Sequence, residues 1–199
     1  NLPNADWIRK DYGSKSVTIQ NITQAYAESS KGNGFIEEFI FRPEDRERIT
    51  LYGTIGDNMH TDLHECLGHG SGQLAPGVKG DELKQYGSVL EEARADLFSL
   101  YYMADPKMEE LGLLPDAEVA KAQYASYISN GMMTQLARVE LGKDIEQTHM
   151  RNRKMISEWA YELGRRENVI EKVVNDGKTY IVVNDFDLSL IHISEPTRL

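Results

Sequence analysis

The segment HECLGHGSGQL, residues 64–74, decides how this chain is organised. It contains two histidines, His64 and His69, and a glutamate, Glu65, directly after the first of them. In hydrolytic zinc sites, neutral imidazole nitrogens hold the metal while a neighbouring carboxylate accepts a proton from the attacking water. The segment therefore has the residue types that a catalytic zinc site requires.

The spacing of the two histidines is unusual for a helical metal motif. The common helical pair is separated by four residues and shares one helix face, whereas His64 and His69 are separated by five. On a regular helix of about 3.6 residues per turn, the two rings would point roughly 140° apart. A bulge with i→i+5 hydrogen bonds removes this conflict, and such bulges favour functional sites. We predict a bulge here, with Gly68 as the residue that tolerates the distorted backbone.

A second arrangement competes with this pair. His60 and His64 have the regular i, i+4 separation and can also share a helix face. A solvated helix face is an equally good interpretation of this segment taken alone. The position of Glu65 beside His64 favours His64 and His69 as the metal-binding pair.

A carboxylate that can complete the ligand set follows in the sequence EEARAD, residues 91–96. On the predicted helix, Glu92 and Asp96 share a face, whereas Glu91 points elsewhere. Ligating histidines usually donate their second N–H to a carboxylate, so acids on both sides of a ligand suit a zinc site. A charged helix start is the alternative interpretation of this segment in isolation.

Composition limits the class of protein. The chain has 199 residues, with 32 acidic and 22 basic side chains and a formal net charge of −10. We therefore expect no binding to nucleic acid or to an anionic membrane surface. No apolar run approaches the roughly 18 residues of a transmembrane helix. The chain opens without an initiator methionine, so we expect it to be an internal piece of a longer protein.

The single cysteine, Cys66, excludes an internal disulfide and fits a reducing compartment, which favours a cytoplasmic protein. Its thiol is expected to be buried, because free cysteine usually is.

The rest of the sequence predicts a mainly α-helical fold with minor β structure. Asp57 is predicted to be the N-cap of the helix that carries His64. Further helices are predicted over residues 88–102, 116–141, 144–163 and 167–174, and a strand over Thr179–Val183. Residues 188–199 do not continue this pattern. They look like translated sequencing adapter, and we expect them to be a non-native tail.

Together, the two segments resemble the dipeptidyl peptidase III family of zinc metallopeptidases. That family is marked by a His-Glu-x-x-Gly-His helix running into Gly-Ser-Gly, followed by a Glu-Glu-x-Arg-Ala-Glu/Asp helix. Residues 64–72 and 91–96 match both motifs, and their compact spacing looks most like bacterial, Bacteroidetes-type members. The resemblance implies that residues 1–187 form the helical, zinc-bearing catalytic lobe of a two-lobed metallopeptidase.

The resemblance also implies a role for each residue of the motifs. His64, His69 and Glu92 would be the zinc ligands, and Glu65 would be the general base. Glu91 and Asp96 would orient the histidines. Many members have glutamate in place of Asp96, so the contact of this shorter side chain must span one more methylene.

Two further segments resemble parts of the family that contact substrate. Asn1 and Asn4 match asparagines that bind the substrate near its free N-terminus. His149 and Arg153 match a helix segment whose histidine and arginine reach the substrate. These two residues are i, i+4 and can face one cleft. Without the resemblance, His149 has the pattern of an ordinary surface histidine on a helix.

The function implied by the resemblance is a zinc-dependent exopeptidase that releases dipeptides from the N-termini of short peptides. It would hold one Zn²⁺ per chain. The alternative is a non-catalytic zinc-binding fragment or remnant of such an enzyme. Glu65 argues against a purely structural site, which would normally use four protein ligands.

Overall fold

The computed structural model describes residues 11–13, 16–72, 74–79 and 81–186. Most of them lie in seven α-helices, which confirms the predicted mainly helical class. The helices are α1 (Gln20–Ser30), α2 (Phe35–Phe39), α3 (Pro43–Leu63), α4 (Gly87–Met103), α5 (Lys107–Glu110), α6 (Glu118–Met132) and α7 (Thr148–Gly164). Two strands follow, β1 (Ile170–Asn175) and β2 (Lys178–Val183).

One long helix leads into the histidine motif. Helix α3 begins at Pro43, where the missing N–H costs no hydrogen bond, and continues for 21 residues to Leu63. The predicted N-cap at Asp57 is wrong, because the helix runs through this position without interruption. The side chain of Asp57 instead lines a polar cavity together with Gln123 of α6.

Residues His64–His69 form a π-helix that directly continues α3. The predicted i→i+5 bulge is therefore confirmed. The wider turn leaves His64 and Gly68 buried on the inner side of the chain. Cys66 is exposed, so its expected burial is wrong. Its thiol and the neighbouring, partly exposed Leu67 lie on the outer side of the same turn.

A hydrophobic core joins α3, α4, α6, α7 and the two strands. Apolar side chains from all of these elements pack into one buried cluster, which includes Leu63, Leu100, Val119, Ile128, Ile156, Ile170 and Ile181. Because side chains in such a core interlock, they fix the helices relative to one another. The polar groups on the same helices are thereby held in place.

Residues 170–183 form an antiparallel hairpin, so the predicted short helix over 167–174 is wrong. Asn175 pairs with Lys178, which leaves Asp176 and Gly177 as a two-residue turn. Both turn residues have positive φ, 49° and 77°, as a type I′ hairpin turn requires. Pairing places the β-branched side chains of β1 on a sheet, where they pack better than on a short helix. The strand predicted over Thr179–Val183 is confirmed within β2.

Two predicted helix boundaries differ from the structure. The helix expected over 116–141 ends at Met132 and is followed by a 3₁₀ segment, Thr134–Arg138. Helix α7 begins at Thr148 rather than at Asp144. Gly142 lies between these elements with a φ of 81°, which interrupts helical geometry. Among the residues that the structure describes, no helix has both the length and the apolarity needed to cross a membrane.

Candidate metal centre

The three side chains predicted to hold zinc lie together at the junction of the π-helix and α4. Potential ligand atoms of His64, His69 and Glu92 all lie within 4.8 Å of one another. His64 Nε2 is 3.1 Å from Glu92 Oε2, and His69 Nε2 is 3.6 Å from Glu92 Oε1. The π-helical turn brings the two imidazole rings to the same side, with their centroids 4.7 Å apart.

A close contact between backbones sets the distance between the two histidines and α4. If Gly68 carried a Cβ, this atom would lie 2.7 Å from both Cα and Cβ of Ala95, too close for any side chain. The φ of Gly68 is not positive, so packing rather than backbone freedom requires glycine here. The same contact brings Asp96, despite its short side chain, within reach of His64.

Each histidine of the pair is hydrogen-bonded to an acid through its other ring nitrogen. His64 Nδ1 donates to Asp96 Oδ1 at 2.7 Å, and His69 Nδ1 donates to Glu91 Oε1 at 2.9 Å. Because a carboxylate accepts in these bonds, the proton of each neutral ring is on Nδ1. The lone pair is then on Nε2, which faces Glu92. Both rings are in the tautomer that a metal ligand requires.

Glu92 provides the strongest sign that these residues fit a metal ion. Its Oε2 atom is buried and has no hydrogen-bond partner. Nε2 atoms of His64 and His149 lie 3.1 and 3.2 Å from it, but neither has the geometry of a hydrogen bond. A buried carboxylate oxygen facing the lone pair of His64 Nε2 is unfavourable unless a cation lies between them. Two imidazole nitrogens and one carboxylate oxygen are a ligand set found in catalytic zinc sites.

The electrostatic field at His64 also favours a cation. Burial opposes a charged ring, but the hydrogen bond and the negative charge of Asp96 raise the pKa of His64 above its ordinary value. The charges of Glu92 and Glu65 act in the same direction. The negative charges that favour a proton on this ring also favour a divalent ion beside it.

Asp96 accepts hydrogen bonds from four side chains. Its Oδ1 accepts from His60 Nε2 at 3.0 Å as well as from His64. Its Oδ2 accepts from Tyr127 Oη at 2.7 Å and from Asn152 Nδ2 at 2.9 Å. Burial favours the neutral acid, but the hydrogen bonds from His60 and His64 lower the pKa of Asp96 far below its usual range. Asp96 is therefore ionised in the interior.

The alternative histidine pair also lies within reach of one ion. Potential ligand atoms of His60, His64 and Asp96 are within 4.8 Å of one another. However, a carboxylate offers about two acceptor positions on each oxygen, and the four donors to Asp96 occupy them all. Glu92 has an unused buried oxygen, whereas Asp96 has no lone pair left. The structure therefore favours the set that contains His69 and Glu92.

Glu91 is held in place by Arg94. The guanidinium donates from Nε to Glu91 Oε2 at 2.9 Å and from Nη2 to Oε1 at 2.7 Å. It also bonds Ser71 Oγ and the Gly68 carbonyl oxygen, at 3.1 and 2.8 Å. Partial burial opposes ionisation, but the hydrogen bonds from Arg94 and His69 lower the pKa of Glu91. Arg94 thus ties α4 to the end of the π-helix.

The sequence also suggested Glu65, His149 and Arg153 as site residues, and each has a different environment. Glu65 is half-buried beside His64. His149 is about half exposed, and its ring centroid is 6.4 Å from that of His64. Arg153 lines a polar cavity of about 220 Å³ next to His60. The i, i+4 spacing predicted that Arg153 and His149 can face one cleft, but His149 does not line this cavity.

Asn1 and Asn4, suggested as substrate-binding residues, lie outside the described residues.

Sequence reasoning missed three residues of the site. Tyr127 and Asn152 reach Asp96 across 31 and 56 residues of chain. Arg94 lies within the second motif, but no role was assigned to it. Of these three residues, the sequence pointed only to Arg94, because its position three residues after Glu91 on a helix favours an ion pair.

The chain is similar to known proteins over part of its length. The model of peptidase family M49 matches residues 1–82, which include the π-helix. Dipeptidyl peptidase 3 of Nematostella vectensis is 36% identical over 74 residues, 37% of this chain and 9% of that protein. Dipeptidyl peptidase 3 of Homo sapiens is 36% identical over 75 residues, 37% of this chain and 10% of that protein.

A longer match extends to dipeptidyl peptidase 3 of Mus musculus, which is 25% identical over 160 residues, 65% of this chain and 21% of that protein. The chain spans about a tenth of the first two relatives and about a fifth of the third. These relatives are animal proteins, so the expected similarity to bacterial members of the family stays a prediction. The family match over residues 1–82 and these relatives support an assignment of this partial chain to the dipeptidyl peptidase III family, peptidase family M49.

Proposed function

We propose that this chain carries the zinc-binding part of a peptidase that releases dipeptides from the N-termini of short peptides. The observation that supports this most is the convergence of His64 and His69 on the Glu92 carboxylate, whose Oε2 atom is buried and unpartnered. One zinc ion per chain would be held by these three side chains. Residues 1–187 would belong to the zinc-bearing lobe, and residues 188–199 to a non-native tail.

The proposed chemistry is hydrolysis assisted by zinc and a glutamate base. Bound zinc would polarise the scissile carbonyl and lower the pKa of the attacking water. Glu65 would accept the proton of this water and return it to the leaving amine. His149, beside Glu92, would donate a hydrogen bond to the oxygen on which negative charge develops. Loss of one such donor typically costs on the order of a hundredfold in rate.

The dipeptide length of the product would come from anchoring the free N-terminus of the substrate at a set distance from zinc. Asn1 and Asn4 are the proposed anchors, and Arg153 is a proposed further substrate contact. The relatives that carry the name dipeptidyl peptidase 3 support this product length.

A second candidate is a non-catalytic zinc-binding fragment. The chain spans only about a tenth of two relatives that it matches, so most of their length has no counterpart here. Zinc ligands that lie close together in sequence can be retained in a fragment that has lost the substrate cleft.

The test compares metal content with turnover in the natural protein that contains this chain. Unaltered protein is expected to hold one zinc per chain and to release dipeptides, identified by mass, from an unlabelled peptide. Glu65→Gln is expected to keep the zinc and lose turnover by about a hundredfold or more. Asp62→Asn changes an exposed carboxylate close to the motif and serves as the matched control, with turnover unchanged.

The outcomes separate the two candidates. Zinc without turnover in the unaltered protein would favour the non-catalytic reading. If Glu65→Gln loses its zinc or retains full turnover, the role of Glu65 as the base is wrong.

A further inference from the structure

Asp96 lies at the centre of a buried polar network that reaches well beyond the metal ligands. Its Oδ2 atom is turned away from the histidines and accepts from Tyr127 of α6 and Asn152 of α7. Asn152 is 0% exposed and Tyr127 is 5% exposed. Neither side chain contacts the proposed ligand atoms, so neither has a role in the chemistry described above.

The two donors fix the orientation of the Asp96 carboxylate. An aspartate side chain can rotate about its terminal bond, which is a soft torsion with a broad preference. With Tyr127 and Asn152 both on Oδ2, rotation would break two buried hydrogen bonds to a charged group. Oδ1 therefore stays on Nδ1 of His64, and this bond sets the tautomer and the direction of the His64 ring.

A close helix crossing brings the two donors to the same oxygen. Helices α6 and α7 approach at Gly131, where an added Cβ would lie 2.6 Å from the carbonyl oxygen of Arg153. Gly131 lies about one turn after Tyr127, and Arg153 directly follows Asn152. Any larger residue at 131 would separate the helices that carry the two donors. The close crossing at Gly131 therefore also keeps both donors in contact with Asp96 at the metal centre.

We propose that Tyr127 and Asn152 are positioning residues of the metal centre. By holding Oδ2 of Asp96, they keep the carboxylate on His64 Nδ1 and aim His64 Nε2 at the metal. They would therefore set zinc affinity without touching the ion. This inference rests on the proposed zinc site and assigns to that site two residues from distant helices.

The experiment measures the zinc dissociation constant by competition with a chromophoric chelator at fixed pH, in the natural protein. Tyr127→Phe and Asn152→Leu are expected to raise it by about tenfold or more, the range seen when partners of ligating histidines are removed. Circular dichroism and thermal unfolding of the metal-free proteins establish that each variant is folded. Two different variants are used, so the test does not depend on either one alone.

Tyr124→Phe is the matched control. Tyr124 lies on the same helix three residues before Tyr127, is 1% exposed, and donates its hydroxyl to the Leu100 carbonyl oxygen. The substitution removes the same buried hydroxyl without affecting Asp96. It is expected to reduce the stability of the metal-free protein by an amount similar to Tyr127→Phe, and to leave the zinc dissociation constant unchanged.

Two results would overturn the inference while leaving the zinc site intact. The first is tight zinc binding by unaltered protein with the same dissociation constant in folded Tyr127→Phe and Asn152→Leu. The second is an equal loss of affinity in Tyr124→Phe, which would show that general destabilisation is the cause. If the unaltered protein binds no zinc, the proposed metal centre itself is wrong, and this inference is overturned with it.

Discussion

Gly68 and Ala95 are packed backbone to backbone, since a Cβ on Gly68 would lie only 2.7 Å from the Cα of Ala95. Each residue directly precedes a member of the site, Gly68 before His69 and Ala95 before Asp96. The contact therefore sets the separation between the π-helix and α4. Potential ligand atoms from these two elements lie within 4.8 Å of one another, so a shift of an ångström would disturb the candidate set.

Gly68→Ala is expected to weaken zinc binding by at least about tenfold, because the added methyl forces the π-helix away from α4. Overpacking of this kind is also expected to lower the free energy of unfolding by about 1–3 kcal/mol. Chelator competition and denaturant unfolding measure the two effects.

Gly53→Ala is the matched control for Gly68→Ala. Gly53 lies within α3, and an added Cβ there makes an ordinary contact of 3.4 Å with Ile49 Cγ2. Replacing a helical glycine in this way is expected to stabilise the protein by about 0.5–1 kcal/mol and leave zinc affinity unchanged. Unaltered zinc affinity in Gly68→Ala would show that the close contact does not position the ligands.

Alanine variants of His60 and Glu92 distinguish the two candidate ligand sets. His60→Ala is expected to retain close to one zinc per chain at saturating metal, because His60 only donates to Asp96. Glu92→Ala is expected to fall well below one, because it removes the proposed third ligand. Metal content after removal of free zinc measures both. If His60→Ala protein contains no zinc, His60 and His64 are the metal-binding pair and the proposed set is wrong.

Arg94→Lys tests whether the two hydrogen bonds from Arg94 to Glu91 affect zinc binding. Lysine keeps the charge but cannot make the two parallel hydrogen bonds that arginine makes to a carboxylate. Glu91 would then orient His69 less firmly, and the zinc dissociation constant is expected to rise by about tenfold. Arg151→Lys, an exposed position on α7, is the control and should have no effect. Equal zinc affinities of the two variants would show that Arg94 does not contribute to the metal centre.

Chelation is expected to lower the unfolding temperature. A ligand at about 1,000 times its dissociation constant stabilises the folded state by about 4 kcal/mol. Thermal unfolding with excess zinc and with excess chelator measures the difference. The same comparison on Glu92→Ala should show little change. A difference that persists in Glu92→Ala would mean that zinc binds elsewhere.

The 199-residue chain by itself is expected to bind zinc but to release dipeptides much more slowly than the longer natural protein. The three proposed ligands lie between positions 64 and 92, on elements packed into the described core. Positioning of a substrate contributes several kcal/mol to catalysis and depends on the whole cleft. Turnover of a dipeptidyl chromogenic substrate by both proteins provides the comparison. Similar rates would show that this part alone holds the substrate.

The most local features of the site were predictable from the sequence. The separation of His64 and His69 required an i→i+5 turn, because the geometry of one helix relates these positions directly. The π-helix His64–His69 has this turn. Residue types at 64, 65, 69 and 92 likewise indicated metal-assisted hydrolysis. Helical periodicity indicated the fold class for the same local reason.

Tertiary structure decided which distant groups meet and which local preference prevails. No spacing rule relates Asp96 to Tyr127 or Asn152, because they meet only where separate helices pack against one another. The segment Ile170–Asn175 has residues that permit either a helix or a strand. Pairing with Lys178–Val183 made it a strand, because burial and cross-strand hydrogen bonds outweigh weak local propensity. The sequence determined the candidate ligands and the turn that joins two of them. The fold determined what holds these side chains in place, because only packing brings remote polar groups into one buried volume.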